Sequence, residues 1–504
     1  MKITKQIGEY LLGQRWCNFK EDIRLGKIKE FNLESIPFDN GKKLMAIGEV
    51  KQEDSTVRYF MIPLQKVSSL HKAALKIGAN SYEDALQSED YWQKLMAFFR
   101  QNKGTVHFKN GWKMYHQIKY FPEIIEENLN APSHPLGVEQ SNTTLMVGDK
   151  KIAFKQERVL DFSYKMNPEF TMNDKLMREN CSVMPKTYGG FFIKNNEGQI
   201  ASAGIEQEFI ANKGDLWNYA LSYLKDRLKI GYLAQRSLNA EDNPEFMDLM
   251  HNLSKKTAEM TECLSRPDKD SDFTPQTVDD CFIYMYDKQL KVLLYQTKNN
   301  IKNNLSRLKE PTYSNAERLL NNWDTLTQSF VSSKLEVISN SPNKGYISRV
   351  HGDFHLGQVM VTEDNDLRFI DFAGEPALPI EQRDQKHIFV RDVAGMYRSI
   401  GGYLRAVAVE EFCAEAEDEQ TASARRKYAE KAISPLINEA TQTFLGKYRI
   451  SDPWMSLEVL RKNLYEVNYE VNNRPNMAYV AIDGLAELLN PKTDVSVYGN
   501  QRQK

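Results

Sequence analysis

Two neighbouring stretches, RVHGDFHLGQVMV at 349–361 and FIDFAGEP at 369–376, constrain the fold more than any other part of this chain. VMV and LRFID are strand-like and flank the turn EDND, so they predict a β-hairpin. One acid, Asp353, precedes the predicted hairpin, and Gln358 follows it by five residues. A second acid, Asp371, ends the hairpin. The fold must therefore hold an acid on each side of a short β-hairpin.

This pattern suits phosphoryl transfer, which needs a carboxylate to accept the proton of the attacking hydroxyl and oxygen ligands for Mg²⁺. Asp353 and Gln358 have the spacing of the H-R-D-x-x-x-x-N loop of protein kinases, with Gln in place of Asn. D-F-A-G at 371–374 parallels D-F-G. The two histidines of HGDFH also permit a Zn²⁺ or Fe²⁺ site, but that interpretation leaves Asp371 unexplained. We expect His351 to brace the loop by hydrogen bonding.

Upstream, I-A-F-K at 152–155 parallels the strand lysine of the V-A-I-K motif, and Lys155 is a candidate for holding nucleotide phosphates. No G-x-G-x-x-G precedes it. The segment EQSNTT at 139–144 occupies that place, and its small polar residues offer hydroxyl and amide groups to phosphates. The phosphate-binding candidates in this segment are Ser141, Asn142 and Thr143.

Length and composition indicate an ordinary globular protein of two or three subdomains, since the chain has 504 residues with 41% hydrophobic and 27% charged. The formal net charge of −2 lacks the basic footprint of a nucleic-acid binder. Five scattered cysteines without a CxxC fit a reducing cytoplasm. No apolar run suggests a signal peptide or a membrane span, so we expect a cytoplasmic protein that contacts neither nucleic acid nor membrane.

The order of predicted elements is strand-rich first and helical later. Turn signals between apolar stretches predict hairpins within 143–160 and 188–210. A helix is predicted from Pro168, because proline favours the first helical turn. After about residue 212, apolar residues recur at three-to-four spacing, which predicts a long series of amphipathic helices. The fold class is therefore α+β.

The catalytic stretch continues as PALPIEQRDQKHIFVRDVAGMYRS, and with it resembles the bacterial maltokinases. Further similarity lies in LGQRWCNFK, LGVEQSNTT, EQEFIANKGDLWNYAL and LRKNLYEVNYEVNNRP. The resemblance implies a protein-kinase-like bilobal fold of the aminoglycoside-phosphotransferase type. Its implied parts are an N-terminal cap at 1–95, a β-rich N-lobe with phosphate loop and strand lysine at 96–208, and a helical C-lobe at 209–504 with the catalytic loop and sugar pocket.

The resemblance also implies transfer of the ATP γ-phosphate to the anomeric hydroxyl of maltose, with Mg²⁺, to give maltose 1-phosphate for α-glucan (glycogen) synthesis. Trehalose synthase is the implied partner, and we expect a monomer or homodimer. The implied residues are Asp353 as catalytic base, Gln358 and Asp371 on Mg²⁺, Lys155 on the phosphates, a hinge at Glu206, Gln207, Glu208 and Phe209 that meets adenine through its backbone, and a sugar pocket of His355, Lys462, Tyr465, Tyr469 and Arg474.

The chain departs from the family at several positions, which leaves the acceptor open. Ala373 replaces the first Glu of D-F-E-G-E-P, and Met477 stands where an aromatic residue is usual. Thr171 replaces the acid expected to pair with Lys155, so Glu169 is the candidate partner. Asp392 is expected to brace the catalytic loop.

Two alternatives stay open. The first is a glucosamine kinase or another small-molecule kinase of the aminoglycoside-phosphotransferase type, with Glu375 and Glu470 as candidate partners of an amine. The second is a catalytically inactive kinase-like module that binds metabolites or a partner enzyme.

Overall fold

The computed structural model describes residues 5–14, 16–17, 19–67, 75–77, 80–137, 142–375 and 378–490. These residues form two compact units. Unit 1 draws on Met1–Arg178, Pro185–Ala211 and Leu378–Gln382, and unit 2 on Glu179–Met184, Asn212–Ala377 and Arg383–Lys504.

The first sheet of unit 1 is antiparallel, in the order β1-β2-β3-β5-β4, and β11 pairs with β3. Phe60 of β3 lies at the centre of its apolar core and contacts the rings of Trp16, Phe19 and Phe31. The elements of this part are α1 (Lys5–Gly13), α2 (Lys20–Arg24), β1 (Ile28–Phe38), β2 (Lys43–Gln52), β3 (Val57–Val67), β4 (Leu75–Ile77), β5 (Asn80–Asp84) and β11 (Val159–Leu160).

The second sheet of unit 1 has seven antiparallel strands in the order β6-β7-β12-β13-β10-β9-β8. Phe99 and Trp92 of α3 pack on it against Phe191 and Phe154. The sheet contains both predicted hairpins, β9–β10 and β12–β13. Its elements are α3 (Tyr91–Gln101), β6 (Thr105–His107), β7 (Lys113–Ile118), α4 (Pro122–Glu127), β8 (Ser133–Pro135), β9 (Thr143–Val147), β10 (Ile152–Gln156), α5 (Pro168–Arg178), β12 (Thr187–Lys194) and β13 (Ile200–Glu208).

Unit 2 is mostly helical and carries two three-stranded sheets, β14-β17-β18 and β15-β16-β19. The predicted hairpin after Gln358 is present as β17–β18. The strands are β14 (Asn212–Asp215), β15 (Gln276–Thr277), β16 (Tyr346–Ser348), β17 (Val359–Thr362), β18 (Leu367–Phe369) and β19 (His387–Ile388).

The 21-residue helix α16 packs against α8, α10, α12 and α17 and buries most of its side chains. A π-helical segment, Arg398–Leu404, joins α12 to α13 without a break. The helices are α6 (Leu216–Ala234), α7 (Pro244–Leu264), α8 (Asp280–Asn304), α9 (Thr312–Asn321), α10 (Trp323–Asn340), α11 (Ile380–Arg383), α12 (Arg391–Tyr397), α13 (Arg405–Ala414), α14 (Glu419–Ala432), α15 (Ser434–Leu445), α16 (Pro453–Asn473) and α17 (Ala478–Leu488).

The strand-rich unit 1 and the helical unit 2 agree with the predicted α+β class. All five cysteines are free thiols. Within the described ranges, no helix has both the length and the apolar character that a bilayer crossing requires.

Candidate active site

A buried carboxylate accepts hydrogen bonds from the backbone of the loop that carries Asp353. Asp392, on α12, accepts hydrogen bonds from the backbone amides of His351 (2.7 Å) and Gly352 (2.9 Å). Burial raises the pKa of Asp392, although His351 and the two amides act in the opposite direction. His351 also contacts the carbonyl of Ile370 through Nε2, at 2.9 Å. The bracing predicted for Asp392 and His351 is therefore confirmed.

Asp353 faces a lysine of the last long helix. Its Oδ1 lies 3.1 Å from Nζ of Lys462, and its Oδ2 lies 3.9 Å from Nε2 of His355. Burial lowers the pKa of Lys462, but the charges of Asp353, Glu375 and Glu466 outweigh that effect and raise it. Lys462 is therefore a charged ammonium beside the candidate base.

His355 serves the same loop. Its Nδ1 accepts a hydrogen bond from the amide of Gly357 at 3.1 Å, and so caps the short 3₁₀ turn that ends at Gln358. Burial lowers the pKa of His355 more than the nearby charge of Asp353 raises it. The ring is therefore neutral at pH 7, with Nδ1 as the acceptor.

The two predicted metal ligands meet at the ends of the β17–β18 hairpin. Nε2 of Gln358 lies 3.2 Å from Oδ2 of Asp371. Asp371 has a left-handed backbone with φ +64°, a conformation that Asp tolerates better than most residues. A carboxylate and an amide oxygen are suitable ligands for Mg²⁺, so the pair fits the ion chemically.

A Zn²⁺ or Fe²⁺ site at HGDFH finds less support, because His351 is turned to a carbonyl oxygen. In the part of the chain that the structure describes, no group of three or more His, Cys, Asp or Glu side chains has a metal-binding arrangement.

Three of the predicted sugar-pocket residues, Lys462, Tyr465 and Tyr469, lie on one face of α16, and a fourth, Arg474, directly follows the helix. The rings of Tyr465 and Tyr469 are nearly parallel, with centroids 6.4 Å apart. Nζ of Lys462 lies 4.8 Å from the Tyr465 centroid, and the guanidinium of Arg474 lies 5.2 Å from the Tyr469 centroid. Burial raises the pKa of Tyr465 to about 12. The structure thus brings Lys462, Tyr465, Tyr469 and Arg474 together, in a row that begins at Asp353.

The two acids considered as partners of an amine already have cationic partners. Glu470 accepts from Nε of Arg474 at 3.0 Å and from the hydroxyl of Tyr403 at 3.3 Å. Glu375 is 2% exposed and lies 3.3 Å from a guanidinium nitrogen of both Arg391 and Arg461. Neither carboxylate is therefore an uncompensated negative charge.

Sequence reasoning missed Arg461 and Glu458, which support this site from α16. Nε of Arg461 lies 2.7 Å from Oε2 of Glu458, three residues earlier on the helix. That i,i+3 spacing and the neighbouring Lys462 were the available signals. Arg461 also contacts Glu375, 86 residues earlier in the chain, and no local sequence pattern predicts that contact.

In unit 1, Lys155 on β10 pairs with Glu169, the candidate partner left by the sequence. Nζ of Lys155 lies 2.8 Å from Oε2 of Glu169. Glu169 stands in the first turn of α5, and its amide donates to Oδ1 of Asn167 at 2.8 Å. The helix that was predicted to begin at Pro168 therefore brings the acid to the strand lysine.

The predicted phosphate segment is only partly described. Ser141 lies outside the described residues, and Asn142 is partly exposed. The hydroxyl of Thr143 is buried and accepts from Nε of Arg158 at 3.2 Å. The Thr143 hydroxyl keeps its own proton for donation while its oxygen accepts from Arg158. The phosphate-binding roles of Ser141, Asn142 and Thr143 stay predictions.

The predicted hinge residues end strand β13. Glu206 is fully buried and contacts Nε2 of His116 at 2.9 Å, on the face of the sheet opposite Lys155. The backbone amide of Glu208 donates to the carbonyl oxygen of Lys186, and the backbone amide of Phe209 donates to the carbonyl oxygen of Lys151. These two amides have partners within unit 1, and the contact of the hinge backbone with adenine stays a prediction. Gln207 shares the face of Lys155.

The chain is similar to glucosamine kinases in a sequence comparison and in a comparison of solved structures. No family model matches the chain. A glucosamine kinase from Streptacidiphilus jiangxiensis is 30% identical over 163 residues, which is 32% of this chain and 34% of that protein. The match thus spans about a third of the curated relative.

Solved structures extend the likeness over nearly the whole chain. Glucosamine kinase in crystal form B superposes with a TM-score of 0.58 at 16% identity, covering 96% of this chain and 99% of that one. Glucosamine kinase in complex with glucosamine, ADP and inorganic phosphate superposes with a TM-score of 0.56 at 18% identity, covering 92% of this chain and 94% of that one. At these identities the likeness concerns the fold, and it confirms that the chain has the predicted protein-kinase-like fold.

Proposed function

We propose that this protein is an ATP-dependent kinase that phosphorylates a hydroxyl of a small sugar. The observation that carries the proposal is the position of Asp353. It lies on a loop whose backbone is held by the buried Asp392, and it pairs with Lys462 of α16. A carboxylate fixed in this way is suited to orient a hydroxyl and accept its proton.

The proposed reaction is a single displacement. The acceptor oxygen attacks the γ-phosphorus of ATP, and the bond from that phosphorus to the bridging oxygen of ADP breaks. The hydroxyl proton passes to Asp353, and ADP leaves. Lys155, oriented by Glu169, holds nucleotide phosphates. Gln358 and Asp371 hold Mg²⁺, which neutralises phosphate charge when bound.

Glucosamine is the acceptor that we propose first. The likeness to glucosamine kinases, in sequence over 163 residues and in fold over most of the chain, supports this choice. Lys462 and Arg474, which lie in the row that begins at Asp353, supply hydrogen-bond donors for the hydroxyls of the sugar.

Maltose is the second candidate. The adjacent rings of Tyr465 and Tyr469 offer a long apolar platform that suits a disaccharide, and Glu375 and Glu470 are already paired with cations. With maltose, the product is maltose 1-phosphate, and trehalose synthase is the proposed partner. In either case we place the enzyme in the cytoplasm as a monomer or homodimer.

The test is an ADP-release assay with glucosamine, maltose, glucose and choline at matched concentrations, with phosphorus NMR of the product. We expect the highest kcat/KM with glucosamine. Turnover of maltose without glucosamine would replace the first acceptor by the second. Nucleotide binding without turnover of any acceptor would instead favour the inactive binding module.

A further inference from the structure

A buried group of charged side chains contacts Asp353 through Lys462 in unit 2. We call it the Glu375 cluster, and its members are Glu375, Arg391, Glu458, Arg461 and Lys462. All except Arg461 are 8% exposed or less. Burying charges costs free energy unless each one is paired, so such a cluster needs a reason to exist.

Glu375 is the shared anion of the cluster. Its Oε2 lies 3.3 Å from Nη2 of Arg391, on α12, and its Oε1 lies 3.3 Å from Nη1 of Arg461, on α16. The same Oε1 lies 3.8 Å from Nζ of Lys462. The positions of both oxygens of Glu375 are thus fixed by guanidinium groups from two helices.

The guanidinium groups are themselves fixed by further partners. Arg461 donates to Glu458 at 2.7 Å, and Arg391 contacts Nδ1 of His387 at 2.9 Å. Glu375 therefore cannot follow a movement of Lys462 without breaking contacts to side chains that are held elsewhere.

Lys462 is the one member of the cluster in contact with Asp353. Its ammonium lies 3.1 Å from Asp353 and 3.8 Å from Glu375, so two carboxylates compete for it. An ammonium held by Asp353 alone would bind that carboxylate more strongly, and would compete with an acceptor hydroxyl for it. A second, fixed carboxylate weakens this competition.

We propose that Glu375 is a positioning residue that acts through Lys462, by sharing its charge so that Asp353 stays available to the acceptor hydroxyl. The inference rests on the proposed function, because it depends on Asp353 as the base. It gives the glutamate of D-F-A-G-E-P a task separate from metal binding, which we assign to Asp371.

A double-mutant cycle tests the proposal with Glu375→Gln, Lys462→Met and the double variant. We expect Glu375→Gln to lower kcat about tenfold while KM for ATP stays within about twofold. In the Lys462→Met background the same change should have almost no further effect on kcat. Equal, multiplying losses in both backgrounds would overturn the proposal, since a purely structural role does not depend on Lys462.

Two further variants separate charge from folding. Glu375→Asp keeps the charge with a shorter side chain, and we expect it to recover part of the lost kcat and to serve if Glu375→Gln does not fold. Asp384→Asn removes a carboxylate from the buried Arg349–Asp384 pair in the same unit, which lies outside the cluster. A loss of kcat by Asp384→Asn equal to that of Glu375→Gln, and coupled to Lys462 in the same way, would contradict the inference.

A measurement without turnover distinguishes failure of this inference from failure of the proposed function. Competitive acylation of lysines with acetic anhydride, read by peptide mass spectrometry, reports how much of Lys462 is the free amine. Glu375→Gln removes one of the anions that stabilise the ammonium, so Lys462 should react faster than in the wild type. Unchanged reactivity overturns the inference, whereas faster reaction in a protein that phosphorylates no acceptor overturns only the proposed function.

Discussion

The ammonium of Lys155 on β10 lies 2.8 Å from the carboxylate of Glu169, in the first turn of α5. Glu169 is almost fully buried, so the pair is shielded from solvent. The chain has Thr171 at the position where the resemblance leads one to expect the acid. A residue two positions earlier supplies the carboxylate, so the change at Thr171 does not leave the strand lysine unpaired.

Glu169→Gln is predicted to weaken ATP use. The variant keeps the size of the side chain but removes the charge that orients Lys155, and hydrogen bonds to charged groups contribute about 1.5–3 kcal/mol. We expect KM for ATP to rise about tenfold or more, with KM for the acceptor unchanged, in steady-state assays. Exposed Glu336→Gln on α10 is the matched control, and an unchanged KM for ATP in Glu169→Gln would contradict the role of the pair.

Asp353→Asn is predicted to lower kcat by about 10²–10⁴-fold, because an amide cannot accept the hydroxyl proton. Nucleotide binding, followed by the thermal shift with ADP, should stay close to that of the wild type. The control is Asp226→Asn, at an exposed position on α6. If Asp353→Asn kept wild-type turnover, another group would have to be the base.

Asp392→Asn is predicted to destabilise the protein and to slow turnover. The amide can accept with one oxygen only, so one of the backbone N–H groups of His351 and Gly352 loses its partner. An unsatisfied buried donor costs about 1–3 kcal/mol, measurable by denaturant unfolding. We expect the fall in kcat to be larger than the rise in KM for ATP. A variant that loses stability but keeps the full kcat would show that the contact of Asp392 with the loop does not support catalysis.

Glu375 makes the stability of the protein sensitive to acid. Burial by itself raises its pKa, but Arg461, Arg391 and Lys462 outweigh that effect and lower it to about 2, from an ordinary value of 4.5. Its folded pKa is depressed, so its contribution to stability is complete above about pH 4.5 and is lost as the pH falls towards 2. We expect Glu375→Gln to be less stable than the wild type at pH 7 and to lose less stability over that acid range.

Thermal unfolding followed by circular dichroism across that pH range measures the difference. Glu336→Gln, whose side chain is exposed, should give the wild-type pH dependence. A parallel pH dependence of wild type and Glu375→Gln would show that the Glu375 carboxylate is not stabilised by its cationic neighbours.

The local elements could be predicted because their signals are local. Turn residues between apolar stretches predicted the β9–β10 and β17–β18 hairpins, and proline at residue 168 predicted the start of α5. The spacing of Lys462, Tyr465 and Tyr469 predicted one helix face, which the ring contacts bear out. These patterns depend on neighbours within one or two turns of chain.

The partners of the charged side chains were decided by tertiary structure. Lys462 was predicted from its helix face as a sugar contact, and the structure adds a partner that this pattern did not contain, Asp353, 109 residues earlier in the chain. Glu375 was a candidate partner of an amine, yet it is held by Arg391 and Arg461. The sequence by itself determined which residue types stand in the catalytic stretch and on α16. Only the packing of α12 and α16 around the loop decided which charges pair, because Coulomb interactions depend on distance in space and burial, and neither is written in the order of residues.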